Sequence, residues 1–403
     1  MKKFSRILLR LLLTLAGLIL LILIYAFLAY PSEYVRRVLL WQNSDVSDYQ
    51  KFPERPLKTG SSTFYFTEAP DESKVRAVLE ANPTIDNLDT FLANNHTQAF
   101  IVIQNDHILY EKYFNGTRRD SIVTSFSMAK SFTSALIGIA IQEGYIQSVN
   151  DPITNYMPEL LKRDPAFGKI TIRDLLMMSS GIKYAEFPFL NGDDAKTYYY
   201  PDLRRLALEG TRIVGLPGKQ FLYNNYHPLL LGLILERATG TPVATYLEEK
   251  IWKPLGMEFP GSWSLDSEGG FEKMESGINA RAIDFAKFGR LFLNNGNWDG
   301  VQVVPAAWVA ESTQEGKSVD RATYYPDNEF FRAMNGYYKY MWWGMRRGEN
   351  DYDFMARGDH GQYIYVSPHN KLIIVHNGEQ FGIEPNEWLK IFYQFASDIS
   401  LEP

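Results

Sequence analysis

The longest run of hydrophobic positions in the chain lies at its N-terminus. Residues 11–30 contain no charged side chain, and four basic residues precede them, Lys2, Lys3, Arg6 and Arg10. About 20 apolar residues suffice for a helix to cross a bilayer, and positive charge before the span keeps the N-terminus cytoplasmic. The sequence therefore predicts a membrane anchor over residues 1–30, with the rest of the chain on the outer, periplasmic or extracellular, face of the cytoplasmic membrane.

A cleavable signal peptide is the alternative for this segment. Such a peptide ends in small residues at positions −3 and −1 of the cleavage site. Candidate cleavage sites after Ala26 or Ala29 have Ile24 or Phe27 at position −3. Because both of these residues are bulky, we expect the anchor to be retained.

The segment that follows the anchor has little periodicity. Prolines recur in it at Pro31, Pro53, Pro56 and Pro70, and an aperiodic segment rich in proline is typical of a stalk or linker. A helical pattern resumes at residues 71–81. The sequence therefore predicts a stalk and irregular lead-in over residues 31–94 and a folded domain over residues 95–398.

Runs rich in β-branched and aromatic residues predict two β-hairpins, formed by residues 98–104 with 107–114 and by residues 362–367 with 371–376. The first hairpin has Asn105-Asp106 as a two-residue polar turn. Strands from both ends of the domain are then expected to share one sheet. The predicted fold class is α/β (α+β), an antiparallel sheet flanked by helices with a mostly helical region, about 125–300, inserted between the hairpins.

Residues 124–141 predict a helix that is apolar on nearly all sides and therefore buried. Ser127 and Lys130 lie near its start at a spacing that stacks two side chains on one helix face. A serine hydroxyl needs a nearby base, and a lysine acts as one when burial or positive charge nearby lowers its pKa. The positive end of the helix dipole supplies such a field. Ser127 is therefore the predicted nucleophile and Lys130 its base.

The same spacing occurs a second time, at Ser180 and Lys183. Gly181 follows this serine directly, and a Ser-Gly pair is typical of a turn rather than of a buried helix start. Because serine and lysine are common residues, the spacing alone is a weak indication of catalysis. The apolar helix that follows favours Ser127.

Tyr223 and Asn225 lie on a polar segment just before the apolar stretch 227–239. A tyrosine hydroxyl near a lysine ammonium can share its proton and carry it between nucleophile and leaving group. An asparagine offers a donor and an acceptor to a substrate amide. The alternative is structural, a tyrosine that covers the core and an asparagine in a turn, and the similar pair Tyr113 and Asn115 shows that the pattern is common.

A third cluster, Gly358-Asp359-His360-Gly361-Gln362, leads into the predicted C-terminal strand. Its glycines allow the backbone to approach a ligand closely, and a backbone N–H here could face that of Ser127 to form an oxyanion hole. His360 is either functional or a hydrogen-bonded structural histidine. No spacing of His, Asp and Glu elsewhere in the sequence is typical of a metal site.

Composition narrows the function further. The net charge of −6 gives no basic surface, so we do not expect nucleic-acid binding. The hydrophobic fraction of 45% and the aromatic fraction of 14% are ample for the core of one large or two closely packed domains. The chain has no cysteine, so its stability does not depend on the redox state of its compartment.

The order of the three clusters resembles that of the serine β-lactamase and penicillin-binding protein superfamily, with Ser-x-x-Lys at 127–130, Tyr-x-Asn at 223–225 and a glycine-bearing strand at 358–362. The chain is most similar to the class C-type branch, which includes esterases, D-amino-acid peptidases and the 6-aminohexanoate-dimer (nylon oligomer) hydrolases. Further similar stretches are 170–181, 217–225, 252–257 and 277–291. The resemblance covers about residues 95–398.

This resemblance implies a β-lactamase/transpeptidase-like fold and acyl transfer in two steps. Lys130, assisted by Tyr223, would deprotonate Ser127, whose attack on an amide or ester carbonyl gives an acyl-enzyme that water hydrolyses. Substrate binding and the oxyanion hole would fall to Asn225, His360, Gly361 and Gln362. Neither a metal nor an organic cofactor is implied. The expected partners are a small-molecule or peptide substrate and, through the anchor, the membrane.

One departure from the family pattern bears on the substrate. The third motif is often Lys-Thr-Gly, whose lysine helps to hold a substrate carboxylate, whereas this chain has Asp359-His360-Gly361. The nylon oligomer hydrolases are similar in having His-Gly-Gln at this place, so linear amides or esters are expected rather than β-lactams. The oxyanion donor would be the N–H of Gln362 or of a residue next to it.

Two alternative functions stay open. One is an enzyme of the same fold that acts on cell-wall peptides, as a DD-peptidase, a D-aminopeptidase or a weak β-lactamase, which an outward-facing anchor favours. The other is a catalytically silent binding module that keeps the fold, although intact Ser127, Lys130 and Tyr223 argue against it. We expect specificity to reside in the loops 183–201 and 324–343.

Overall fold

The structure, a computed structural model, describes residues 2–188, 190–316, 321–325 and 329–399. Its α-helices are α1 Lys2–Ala29, α2 Ser32–Trp41, α3 Glu72–Leu79, α4 Leu88–Asn94, α5 Ala129–Gln142, α6 Pro158–Arg163, α7 Ile172–Leu176, α8 Asp193–Tyr199, α9 Leu203–Arg205, α10 Tyr226–Thr239, α11 Val243–Leu247, α12 Ala282–Leu293, α13 Ala306–Thr313, α14 Arg321–Tyr324, α15 Glu329–Ala333 and α16 Pro385–Asp398. Its β-strands are β1 Glu54–Leu57, β2 Thr67–Glu68, β3 Thr97–Gln104, β4 His107–Tyr113, β5 Val123–Thr124, β6 Gly261–Ser264, β7 Ile278–Ala280, β8 Asn297–Trp298, β9 Val301–Gln302, β10 Gly336–Lys339, β11 Trp342–Gly348, β12 Asp351–Gly358, β13 Gln362–Ser367 and β14 Leu372–Gly378. Residues 189 and 326–328 of the two predicted specificity loops lie outside the described residues.

The main sheet has the strand order β10-β11-β12-β13-β14-β3-β4-β2. The predicted hairpins are β3–β4 and β13–β14, and β14 pairs with β3, so both ends of the domain share one sheet as predicted. Asn105 and Asp106 have φ angles of 52° and 63°, which the twist of a two-residue hairpin turn requires. Neighbouring strands of the main sheet are antiparallel, except for β2 and β4, which are parallel. The predicted fold class is confirmed.

Helix α12 covers the main sheet by packing on β13 and β14. Gly289 of this helix faces the sheet, where an added Cβ would lie 2.9 Å from Ile364 and 3.0 Å from Ile373. The glycine therefore allows the helix to approach the sheet closely. Helix α5 is buried beside α10, α13 and α11, so that the helix that follows Ser127 forms the centre of the helical region.

The start of α5 differs from the predicted helix over 124–141. Val123–Thr124 is strand β5, which pairs with β7, and a short 3₁₀ turn, Phe126–Met128, lies between the strand and the α-helix. Phe126 has a φ of 41°, which is incompatible with an α-helix. Ser127 therefore lies in the turn and Lys130 in the first turn of α5.

The segment after the anchor also differs from the predicted irregular lead-in. Helix α2 packs against α8, and strand β1 pairs with β6 in a small sheet of order β1-β6-β7-β5. Both elements are stabilised by partners far along the chain, which a local hydrophobic pattern does not reveal. The division of the chain into an anchor, a lead-in and a domain from residue 95 stays a prediction.

Within the described part of the chain, one helical segment, Phe4–Ala29, is long and apolar enough to cross a membrane. Its length and position fit either a membrane anchor or a signal sequence. Ala26 of its last turn is buried in a small apolar cluster with Tyr34, Val35 and Val38 of α2. Tyr30 packs on the same cluster and donates a hydrogen bond to Asn191 Oδ1 at 2.6 Å.

Candidate active site

Ser127 lies where the turn Phe126–Met128 enters α5 and lines a cavity of about 340 Å³. The φ of 41° at Phe126 is a genuine outlier for a bulky residue. Strained residues persist only where the surrounding structure holds them in place, and they cluster at functional sites. Here the neighbouring Ser125 fixes the turn, since its N–H donates to the Ile278 carbonyl at 2.8 Å and its Oγ accepts from the Ile278 N–H at 3.1 Å.

Lys130 contacts the serine directly. Its Nζ donates a hydrogen bond to Ser127 Oγ with an N···O distance of 2.7 Å, and a second one to the Glu275 carbonyl at 2.8 Å. The residue is only 1% exposed, so the two hydrogen bonds fix an amine that bulk water does not reach. A base must lie within hydrogen-bond distance of the proton that it removes, and Lys130 meets this condition for Ser127.

Tyr223 lies beside this pair, on the segment that precedes α10. Its ring centroid is 4.9 Å from Lys130 Nζ. The ring packs against Tyr338 of β10 and Trp343 of β11, with centroid distances of 6.1 Å and 5.7 Å. Strands from the edge of the main sheet therefore hold Tyr223 next to the amine.

Asn225 lines the same cavity. Its Nδ2 donates to the Tyr184 hydroxyl at 2.9 Å and to Asp194 Oδ1 at 3.3 Å, and Tyr184 donates to Asp194 Oδ1 at 3.1 Å. Burial raises the pKa of the Asp194 carboxyl, and burial together with the charge of Asp194 raises the pKa of Tyr184. The Oδ1 atom of Asn225 is buried and has no hydrogen-bond partner within the described residues, which leaves an acceptor for a ligand.

The third predicted cluster packs against the turn Phe126–Met128, which we call the serine turn because it contains Ser127. An added Cβ on Gly358, the last residue of β12, would lie 2.4 Å from the Ser125 carbonyl oxygen and 3.1 Å from Ser127 N. Only glycine allows this close approach of strand and turn. His360 has a φ of 58°, and its ring stacks on that of Phe126 with a centroid distance of 4.7 Å and an interplanar angle of 10°.

His360 and Asp359 lie next to each other in the lining of the cavity. Their side chains approach to 3.5 Å between His360 Nδ1 and Asp359 Oδ2. Burial alone would lower the pKa of His360, but Asp359, with further contributions from Asp45 and the Ser44 carbonyl, raises it above the usual value. Burial alone would raise the pKa of Asp359, but His360 lowers it. The pair therefore favours a carboxylate and an imidazolium.

The Gly361 carbonyl and the Gln362 side chain bind to residues behind the strand, away from the cavity. The Gly361 carbonyl accepts a hydrogen bond from His376 Nδ1 at 2.6 Å. The Gln362 side chain is buried, where it donates to the Gly378 carbonyl at 2.6 Å and accepts from Asn377 Nδ2 at 2.8 Å. The structure thus brings together Ser127, Lys130, Tyr223, Asn225 and His360. The Gln362 side chain does not line the cavity, and its buried hydrogen bonds indicate a structural role.

The cavity lining also contains Asp194 and Glu275, which the sequence did not indicate. Together with Asp359 they place three carboxyl groups in the lining, and among the described residues no lysine or arginine contributes to it. Tyr198 and Tyr199 of α8 line it as well. Helix α8 lies in the loop 183–201, where specificity was expected. No motif in that part of the sequence indicated which of its residues would line the cavity.

The second Ser-x-x-Lys pair does not form a comparable site. Ser180 is completely buried and lies 2.6 Å from His227 Nε2, and its Oγ also accepts from the Ile182 N–H at 3.1 Å. Gly181 has a φ of 75°, which confirms the predicted turn. The described residues also contain no group of three or more His, Cys, Asp or Glu placed to hold a metal ion.

Comparison with known proteins gives the following similarities. The sequence profile of the family described as Beta-lactamase matches residues 86–377. The 6-aminohexanoate-dimer hydrolase of Paenarthrobacter ureafaciens is 29% identical over 320 residues, which is 76% of this chain and 78% of that protein.

Solved structures give the same result. A Bacillus anthracis protein described as a candidate 6-aminohexanoate-dimer hydrolase superposes with a TM-score of 0.75 at 27% identity, over 90% of this chain and 93% of that chain. A class C β-lactamase superposes with a TM-score of 0.60 at 16% identity, over 83% of this chain and 98% of that chain. At this lower identity the likeness concerns the fold alone.

Proposed function

Because this chain belongs to the beta-lactamase family and is a serine hydrolase, we propose that it cleaves an amide or ester bond through an acyl-enzyme on Ser127. The observation that carries this proposal is the 2.7 Å hydrogen bond between Lys130 Nζ and Ser127 Oγ at the wall of a cavity. A nucleophile within hydrogen-bond reach of a base that is itself held by a third group is the arrangement that nucleophilic catalysis requires. The Glu275 carbonyl is that third group.

The proposed reaction has two steps. In the first, Ser127 Oγ forms a bond to the substrate carbonyl carbon as its proton moves to Lys130, and the bond to the leaving nitrogen or oxygen breaks. The proton reaches the leaving group through Tyr223, whose ring lies 4.9 Å from Lys130 Nζ. In the second step, water gives its proton to the same base and attacks the acyl carbon. The bond from this carbon to Ser127 Oγ then breaks, and the base returns the proton to Oγ, which restores the enzyme.

An oxyanion hole is proposed between the serine turn and the third cluster. One donor is the Ser127 N–H, and the other is the N–H of Gln362 or of a residue next to it. The packing of Gly358 against Ser125 and Ser127 supports this arrangement, because it holds the strand backbone beside the serine N–H. Backbone donors fixed in this way stabilise a tetrahedral oxyanion without reorganisation.

The lining of the cavity supports a linear substrate that carries hydrogen-bond donors and no carboxylate near the reacting bond. Asn225 Oδ1 and Glu275 Oε2 are buried acceptors without a partner among the described residues, and a substrate N–H would remove the cost of leaving them unpaired. Asp359, whose pKa is lowered by His360, would repel a carboxylate and accept a neutral or cationic group. The relative from Paenarthrobacter ureafaciens is named for a 6-aminohexanoate dimer, and a linear amide is our proposal for this chain too.

The same lining argues against the cell-wall peptidase and β-lactamase alternatives. A D-alanyl-D-alanine end and a penicillin both carry a carboxylate close to the reacting carbonyl, and the third motif offers Asp359 where a lysine would bind it. A labelled penicillin that stays bound after denaturation would favour the alternative.

Covalent labelling tests the proposed nucleophile. A fluorophosphonate probe should modify the wild-type enzyme at Ser127, as mapped by mass spectrometry, and should not modify Ser127→Ala. Ser131→Ala is the matched control, because Ser131 lies four residues further along the chain, in α5, and donates to the Met341 carbonyl at 2.8 Å instead of lining the cavity. A label on another serine would contradict the assignment.

We further propose that the N-terminal helix is retained and anchors the catalytic domain to the outer face of the cytoplasmic membrane. The end of this helix supports retention, because Ala26 and the following Tyr30 pack on the folded part of the chain. N-terminal sequencing of the mature protein should therefore begin near residue 1. A start near residue 27 or 30 would identify a signal sequence instead.

A further inference from the structure

The cavity is partly closed by a segment that precedes the predicted catalytic domain. We call residues 42–47, between α2 and the turn Asp48–Gln50, the lead-in loop. Gln42, Asn43 and Ser44 of this loop line the same cavity as Ser127. Because the loop begins only 13 residues after the apolar helix ends at Ala29, a segment close to the membrane anchor reaches the reaction centre.

Helix α8 holds the lead-in loop in this position. The Tyr199 hydroxyl donates to the Gln42 carbonyl at 3.0 Å, and the Tyr198 hydroxyl donates to Asp48 Oδ2 at 3.0 Å. Both tyrosines also line the cavity, so the loop and α8 together form one continuous wall. Asp194, from the first turn of the same helix, accepts a hydrogen bond from Asn225 and links this wall to the catalytic side.

Apolar packing behind the loop fixes it further. Trp41 contacts Phe52 and Tyr199 with centroid distances of 5.1 Å and 6.0 Å, and Phe52 contacts Tyr198 at 5.8 Å. The Arg37 guanidinium is buried beneath these rings and donates to the Tyr199 carbonyl at 3.2 Å. Buried aromatic pairs of this kind order the segments that contribute them.

The loop is also ordered within itself. Gln42 has a φ of 55°, which turns the chain away from the axis of α2 toward the cavity. Asp45 accepts from the Ser47 N–H at 2.8 Å, and Asp48 accepts from the Asp45 N–H at 2.9 Å. The loop therefore presents its polar side chains on a preorganised backbone, which lowers the entropic cost of binding a ligand.

We propose that the lead-in loop is a substrate-recognition element, in which Asn43 and Ser44 contact the part of the substrate that lies away from the reacting bond. This inference rests on the proposed function of Ser127. The amide and hydroxyl groups of these side chains suit a neutral polar chain, such as the amide backbone of a linear substrate. The loop thus sets how long a substrate the cavity accepts.

Substrate length separates this role from a merely structural one. Nitrophenyl acetate occupies only the space next to Ser127, whereas nitrophenyl esters of N-acetylglycine and of N-acetylglycylglycine extend along the cavity on the acyl side. A second series consists of two amides that extend on the amine side of the reacting bond. This series probes the cavity in the direction opposite to that of the esters. We expect Asn43→Trp to lower kcat/KM about tenfold for the extended substrates of one series and less than twofold for the acetate, because the larger side chain occupies the space of the extension.

Asn43→Ala is the second variant and Gln50→Trp the control. Asn43→Ala removes the amide without adding bulk and should lower kcat/KM for the same extended substrates about threefold. Gln50 is exposed just beyond the loop and does not line the cavity, so Gln50→Trp should change no substrate more than twofold. A melting temperature of each variant within about 2–3 °C of the wild-type value would show that the fold is intact.

The two proposals fail in different ways. If the fluorophosphonate labels Ser127 normally and both Asn43 variants change all substrates by the same factor, or change none, the lead-in loop is not a recognition element and the proposed function stands. If Ser127 in the wild-type enzyme is not labelled, the proposed function itself is overturned, and the inference about the loop is overturned with it.

Discussion

Two Ser-x-x-Lys pairs in this chain have the same spacing and different surroundings. At Ser127 a 3₁₀ turn runs into an α-helix, and Lys130 Nζ reaches the hydroxyl at 2.7 Å on the wall of a cavity. At Ser180 the chain turns at Gly181, with a φ of 75°, and the serine is buried against His227. The difference lies in the backbone that follows each serine, because only a helical backbone stacks residues three apart.

The buried pair also illustrates how a hydrogen bond differs from a reactive site. Ser180 and His227 lie 2.6 Å apart, as a nucleophile and its base would. Burial lowers the pKa of His227 to about 3, and the two residues are 0% and 1% exposed, so a substrate has no access to them. The comparison teaches that a candidate nucleophile needs exposure to a cavity as well as contact with a base.

The largest test of this comparison is the removal of each hydroxyl. Ser127→Ala should lower kcat/KM by about 10⁴-fold, because no acyl-enzyme can form, while leaving the melting temperature nearly unchanged. Ser180→Ala should keep kcat/KM of the folded enzyme within a few-fold of wild type. Kinetics with a nitrophenyl ester and thermal unfolding of both variants supply the measurements. Substantial activity in Ser127→Ala would remove the nucleophile assignment.

The two lysines give the next largest contrast. Lys130→Ala should slow acylation by about 10³-fold, the usual contribution of a positioned general base. Lys183 is exposed, and Lys183→Ala should leave the rate unchanged. Single-turnover acylation measures the step directly. Normal acylation by Lys130→Ala would mean that the base is elsewhere, and Tyr223 would become the candidate.

An effect of intermediate size is expected on substrate preference, which tests the carboxyl groups in the cavity lining. We expect short esters or uncharged linear amides to be turned over at least about tenfold better than penicillins or cephalosporins, since a charge-assisted contact to the carboxylate is worth about 1.5–3 kcal/mol. Asp359→Lys or His360→Lys should narrow this gap. A cephalosporin hydrolysed by the wild-type enzyme as fast as its best ester would show that the carboxylate has another partner.

The smallest expected effect concerns the buried pair Ser180 and His227, and it is a change in how the free energy of unfolding depends on pH. His227 stays neutral in the folded chain down to a pKa of about 3, whereas the unfolded chain binds a proton near pH 6.5. Stability should therefore fall as the pH drops below about 6.5, and His227 accounts for about 2 kcal/mol of this loss by pH 5.

The variant His227→Gln isolates this contribution. It lacks the titrating group, so its free energy of unfolding should decrease less than that of the wild type between pH 7 and pH 5, as measured by denaturant titration at each pH. His376, whose pKa burial lowers to about 4, is unchanged in both proteins and cancels in the difference. Equal losses in the two proteins would contradict the neutral, buried state of His227.

Local patterns predicted the parts of the fold that depend on neighbours in sequence. The two hairpins and their turn at Asn105-Asp106 follow from alternation and turn chemistry, and both lie in the main sheet. The buried helix after Ser127 follows from its apolar sequence. The same patterns could not reveal α2 and β1, whose partners α8 and β6 lie far along the chain.

The candidate site divides in the same way. By itself the sequence determined the types and order of the candidate groups, Ser127 with Lys130, then Tyr223, then His360, because residue type and short spacing are properties of the chain. Only the tertiary structure decided which serine faces a cavity, that the Gln362 side chain turns inward, and that Asp194 and the lead-in loop complete the wall. Such contacts join segments separated by many residues, and their geometry depends on how the helices and sheets pack, which no local pattern encodes.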